Sequence, residues 1–134
     1  MTVTELIKRA KSCSVCVYCY GAKMEPVTLG NIDKWATVSP NIYTAKYKQK
    51  CMDKIGELAT DCSGLVCYSA NIPHIGSSQM KTRWKNVPLK DVKAGMCLWR
   101  KGHVAIALSD YNEGKIEIIE AKGVDYDVLY HTVT

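Results

Sequence analysis

The sequence predicts an α+β domain, with helices first and an antiparallel sheet last. Three observations carry that reading. Apolar residues recur at helical spacing up to Ala70, and after Gly95 they gather into short runs of strand length. Between two of those runs, Asn112-Glu113-Gly114 supplies a hairpin turn. A run of helices followed by a run of strands is the α+β pattern. The 134 residues suit one compact domain. With 47% hydrophobic and 23% charged residues, the chain has the balance of a globular protein and not of a disordered one. Phe is absent, so Tyr, Trp and the aliphatic residues must fill the core. No repeat or low-complexity linker divides residues 1–134, which read as a single domain.

Thr4 is the expected cap of a first helix, with Leu6, Ile7, Ala10 and Cys13 on one face. Gly21 to Gly30 reads as loop. Ser39-Pro40 has the form of a helix start, cap then first-turn proline. Ile42, Ala45, Gln49, Met52 and Ile55 follow, and Gly56 ends that helix. Asp61 is a cap for a short apolar helix through Leu65, Val66, Cys67 and Ala70, stopped before Pro73. Residues 71–95 are polar and broken by Pro73, Gly76, Pro88 and Gly95, so loop with a short helix or turn is expected. Four strands follow, over Met96–Arg100, Val104–Ser109, Lys115–Glu120 and Val124–His131.

The formal net charge is +5, with Lys46, Lys48, Lys50 and Lys54 in one segment and Lys81, Arg83 and Lys85 in another. A basic surface suits an anionic partner such as nucleic acid, a membrane surface or an acidic wall polymer. No base-reading motif accompanies the charge, so it reads first as a solvated face and nucleic acid is set aside. No apolar run is long enough to span a bilayer. Met1 to Ala10 carries Glu5, Lys8 and Arg9 and lacks the order of a signal peptide. The chain is therefore expected to be made in the cytoplasm and to meet any outside substrate through lysis, a virion or another domain. Without a secretion signal, reduced thiols are the default for the seven cysteines, and the odd count leaves at least one free.

Cys62 is the candidate nucleophile. At a helix start, unpaired N–H groups and the helix dipole surround its sulfur, an arrangement expected to favour thiolate over thiol. The same N–H groups can hold the oxyanion formed when a carbonyl is attacked. His103 opens the apolar strand Val104 to Leu108 behind Gly102, where an imidazole can face a cleft and act as general base. A third polar group should orient it. Glu120, at the end of the next strand, returns to the His103 end of the hairpin. Alternation places Ile118 and Glu120 on one face and Glu117 and Ile119 on the other.

Three blocks carry a resemblance. Asp61-Cys62-Ser63-Gly64-Leu65-Val66, then Gly102-His103-Val104-Ala105-Ile106, then Ile119-Glu120-Ala121-Lys122-Gly123 resemble the signature blocks of the NlpC-type peptidoglycan cysteine peptidases. Tyr18-Cys19-Tyr20-Gly21 is similar to that family's Tyr-x-Trp-Gly segment, and Val87 to Gly95 to its connector into the His strand. The resemblance implies a papain-like core, with Cys62 as nucleophile, His103 as base and Glu120 as orienting residue. Tyr18 would help hold the oxyanion or substrate, and Asp61 and Ser63 would help bind the stem peptide. Peptidoglycan stem peptides are the implied substrate, with no cofactor and no bound metal, and a monomer is expected. The chain departs from the family pattern in a helical insertion at about residues 30–58, in Met96 where Asp is common, and in Glu120 where His is commoner.

Cys13-Ser-Val-Cys16-Val-Tyr-Cys19 is the rival signal, because such spacing suits a metal or iron–sulfur site. A fourth ligand would have to be His74, Cys51 or His131, far along the chain. The reading preferred is three small core residues at the end of the first helix. Two alternatives to a wall peptidase therefore stand: an amidase, transglutaminase-like enzyme or acyltransferase on the same Cys–His scaffold, and a non-enzymatic binding module stabilised by a metal at these cysteines.

Overall fold

The computed structural model describes residues 1–134, with five α-helices and two sheets in the α+β class. Helix α1 (Val3–Ser12) begins two residues earlier than the Thr4 cap would place it. Thr2 is the cap, its hydroxyl accepting the Glu5 N–H at 3.1 Å. Leu6 and Ala10 turn toward the core, and a 3-10 turn over Cys13–Val15 ends the helix.

The smaller sheet has three short strands, β1 (Val17–Tyr18), β2 (Lys23–Pro26) and β3 (Leu58–Thr60), in the order β1-β3-β2. Strand β1 runs parallel to β3 and β2 antiparallel to it. Strand β2 occupies part of the stretch read as loop. Between β2 and β3 the expected single helix is two helices, α2 (Leu29–Val38) and α3 (Ala45–Met52). Thr28 caps α2 by accepting the Asn31 N–H at 3.0 Å, and Thr44 caps α3 by accepting from Tyr47 at 3.3 Å. Ser39 is not a helix start: its N–H goes back to the Trp35 carbonyl and closes α2. Its own carbonyl accepts from Ile42 and Tyr43, a turn that carries Pro40 and does not continue as helix. Ile32 and Trp35 of α2 join Val17, Cys19, Val27, Cys51 and Ala59 in a core of their own.

The larger sheet is β4 (Cys97–Arg100), β5 (His103–Ala107), β6 (Ile116–Gly123) and β7 (Asp127–Val133), in sequence order and antiparallel throughout. Glu113 and Gly114 both take positive φ, 51° and 80°, in the tight turn bridged by Asn112 and Lys115. That is the pattern of a primed hairpin turn, whose twist matches the strands it joins. Helix α4 (Cys62–Ala70) follows β3 directly and packs with α1 on one face of this sheet, through Leu65, Val66, Val104, Ile106 and Ile119. Leu65, Ile106 and Ile119 are fully buried, each contributing about 1.5–3 kcal/mol. Val92, Ala105, Ala107, Ile116 and Ile118 fill the other face. The polar 71–95 stretch holds one short helix, α5 (Ser77–Arg83), and a 3-10 turn at Leu89–Asp91. No helix is long and apolar enough to cross a membrane.

Candidate active site

The β3–α4 junction fixes Cys62. The Asp61 N–H donates to the Ala22 carbonyl at 2.8 Å, and the Asp61 carboxylate caps α4 by accepting the Gly64 N–H at 2.7 Å. Gly64 is required by crowding. A Cβ there would lie 2.5 Å from Thr60 Oγ1 and 2.9 Å from the Ala22 carbonyl oxygen. The main chain can therefore press the start of α4 against the smaller sheet and leave the Cys62 side chain directed at the larger one.

The larger sheet meets it where β5 and β6 part. Their ladder holds only two partner pairs, Ile106↔Ile119 and Ala107↔Ile118. The Ala107 N–H points to Met96 on the β4 side and the Leu108 N–H to Glu117 on the β6 side. By alternation the Val104 N–H also points toward β6. No strand partner faces it there, and it lies near enough to the Cys62 sulfur to favour the thiolate. The thiol thus lies near the peptide that links His103 to Val104. The Ser63 N–H of α4 also lies near the sulfur and favours the thiolate.

His103 and Glu120 meet at the same opening. By strand alternation they share a face with Ala105, Ala107 and Ile118. Glu120 lies one step beyond the last ladder pair and reaches His103 diagonally, its Oε1 lying 2.7 Å from His103 Nε2. With Nε2–H given to the carboxylate, Nδ1 is the ring nitrogen left to accept a proton. Burial opposes ionisation of Glu120, but hydrogen bonds from His131 and His103 outweigh it and hold the carboxyl below its usual range. From the sequence, His131 is only a distant candidate metal ligand. Its Nε2 lies 2.6 Å from Glu120 Oε2, so the buried carboxylate bridges two imidazoles.

The ionisation of Cys62 differs from the sequence expectation. Burial pushes its thiol up and the adjacent Asp61 carboxylate adds to the push; the Val104 and Ser63 N–H groups and the Lys23 ammonium pull down and do not prevail. The helix start fails to make a thiolate because burial takes water from the sulfur, and the capping carboxylate sets its own negative charge beside it. Deprotonation therefore needs a base.

Tyr18 on β1 is partly buried, and burial, then the neighbouring Cys62 and Asp61, push its phenol far up, leaving a neutral O–H donor near the thiol. Its N–H is fixed by Asp127 Oδ1 at 2.9 Å. Asp61 and Ser63 are buried. The Asp61 carboxylate is engaged by the Gly64 N–H, by the Ser63 hydroxyl at 3.4 Å and by an ion pair with Lys23. In the free protein Asp61 is thus a structural cap. Lys23, not singled out in the sequence, is the cation of this corner; its place in the loop-like stretch after Gly21 gave no signal.

The three closely spaced cysteines do not converge. Cys13 and Cys16 pack in the main core, whereas Cys19 lies with Cys51 in the smaller one. No group of three His, Cys, Asp or Glu side chains is arranged to hold a metal ion. A cavity of about 540 Å³ runs between α1, α4, α5 and β4, but neither Cys62 nor His103 lines it, so size alone does not locate the chemistry. Comparison of the chain with protein-family models, curated proteins and solved structures gives no match in any of the three.

Proposed function

We propose that the chain is an NlpC-type cysteine peptidase with a papain-like core, which hydrolyses amide bonds in the stem peptides of peptidoglycan. One observation supports this reading most: the Val104 N–H lies near the Cys62 sulfur, and Glu120 holds Nε2 of the preceding residue, His103. A nucleophile, a base and an orienting carboxylate in this relation suit acyl transfer. The basic surface, net +5, favours an anionic wall polymer. Made in the cytoplasm, the enzyme would reach the wall through lysis, a virion or another domain.

In this mechanism Nδ1 of His103 takes the Cys62 proton as the sulfur attacks the amide carbonyl. The carbonyl oxygen, now anionic, is held by N–H groups at the start of α4 and by the Tyr18 hydroxyl. Collapse breaks the C–N bond, the imidazolium returns its proton to the leaving amine, and an acyl-enzyme forms on Cys62. His103 then takes a proton from water, which attacks the thioester and frees the acid and the thiol. Throughout, Glu120 stabilises the imidazolium without accepting its proton.

Digestion of purified peptidoglycan from several bacteria, with fragments identified by mass, tests the proposal. New amine and acid termini that are absent with Cys62→Ala are expected. A reactive Cys62 with no wall digested would shift the assignment to an amidase or acyl transferase on the same residues.

A further inference from the structure

We propose that His131 is a positioning residue of this site, holding Glu120 ionised and aimed at His103 and so setting how strongly His103 draws the proton from Cys62. The inference rests on the reading of Cys62 and His103 as nucleophile and base, and it extends the site to a third strand.

His131 enters from β7. Its register partner is Ile118, while that of Glu120 is Leu129. The two are diagonal neighbours on one face of an antiparallel pair, a separation that long side chains bridge. The result is a carboxylate gripped at both ends, by His131 on Oε2 at 2.6 Å and by His103 on Oε1 at 2.7 Å. The Glu120 side chain is 8% exposed, and its ion-pair partners are these two imidazoles, with no lysine or arginine among them.

A carboxylate that far from water stays ionised only if its oxygens keep their donors. Without His131, Oε2 would take up a proton or swing toward solvent. Either change weakens the hold of Oε1 on His103. The imidazolium formed when Cys62 gives up its proton is then less stabilised, and the ring less firmly oriented. The hydrogen bond from His131 is the strongest of the interactions that keep the Glu120 carboxyl low. Its own side chain is 35% exposed, so packing is a small part of its role.

Two substitutions separate the donor from the ring. His131→Phe keeps a ring and removes the N–H; His131→Gln replaces that N–H with an amide N–H of similar reach. The readout is alkylation of Cys62 by iodoacetamide at pH 7, mapped by peptide mass, which needs no wall substrate. His131→Phe should slow it about tenfold or more, the scale of losing one hydrogen bond to a charged group. His131→Gln should stay within about threefold of the parent on the same scale. In a Glu120→Gln background, His131→Phe should change nothing further, because its effect passes through the carboxylate. With a cleavable substrate, kcat should fall while KM holds.

Equal losses in both His131 variants, no loss in either, or an undiminished effect of His131→Phe in the Glu120→Gln background would each overturn the inference. His103→Ala is the control. If it leaves Cys62 alkylation unchanged, the base assignment itself fails. If it slows alkylation and His131→Phe does not, only the role of His131 falls.

Discussion

Asp61 offers the sharpest separation of stability from reactivity, because one carboxylate does two things. It caps α4 through the Gly64 N–H at 2.7 Å, and its charge raises the neighbouring Cys62 thiol. Asp61→Ala removes both. Losing the cap costs about 0.5–2 kcal/mol, and the Gly64 N–H is left buried without its partner. The ion pair with Lys23 adds little, since the lysine side chain is 31% exposed and can turn to water. For a chain of 134 residues, the loss amounts to a fall in Tm of about 2–10 °C. Asp61→Asn keeps a capping oxygen of equal quality and removes only the charge, so Tm should change by less than about 3 °C. In that variant the Cys62 thiol should move down from its raised position, and its alkylation should reach half-maximal rate at lower pH than in the parent. Thermal melts and mass-mapped alkylation from pH 6 to 10 measure both. Equal destabilisation by Ala and Asn would refute the capping argument. A Cys62 midpoint unmoved or raised in Asp61→Asn would refute the electrostatic one.

Other outcomes follow from the same geometry. Cys62→Ala should abolish turnover with the melt unchanged to within a few degrees, and His103→Ala should lose at least about a hundredfold in kcat, the scale of a removed general base. Gly64→Ala should destabilise by about 1–3 kcal/mol in denaturant unfolding, because the Ala22 carbonyl 2.9 Å from the new Cβ is main chain and yields poorly. Glu120 is held below its usual range in the folded protein, so it contributes stability above its unfolded value, about 4.3, and loses it as pH falls through the lower folded one. Urea unfolding from pH 6 to 3 should show the parent more stable than Glu120→Gln at the upper end, with the gap closing toward the lower; a gap that widens on acidification would contradict the assignment.

Features set by local chemistry were the legible ones. The Asp61 cap, the helix behind it and the Asn112-Glu113-Gly114 turn each depend on residues a few positions apart, and each stands where the sequence places it. Strand alternation correctly divided Ile118 from Ile119. The small sheet was not legible, because strands of two to four residues are too short to show a period. Ser39-Pro40 misled because a cap-like pair also suits the turn between two helices, and Thr28 and Thr44 are the caps that operate. At the site, the His103–Glu120 pairing was readable from the hairpin. The contact of His131 with Glu120 was not read, since it depends on the β6–β7 register and on the turn that begins β7 at Asp127, three residues later than the strand expected from Val124. The raised thiol was hidden for a further reason. It reflects burial against the larger sheet, and the helix-start argument says nothing of that.

Proton exchange between Cys62 and His103 is tested most directly by the alkylation rates of all seven thiols at pH 7, in the parent and in His103→Ala. Five of the others are buried, and burial pushes the half-buried Cys97 up to about 12. Cys62 should therefore be modified first in the parent, and its rate alone should fall in the variant. A different cysteine reacting first, or a Cys62 rate indifferent to the loss of the imidazole, would contradict the account.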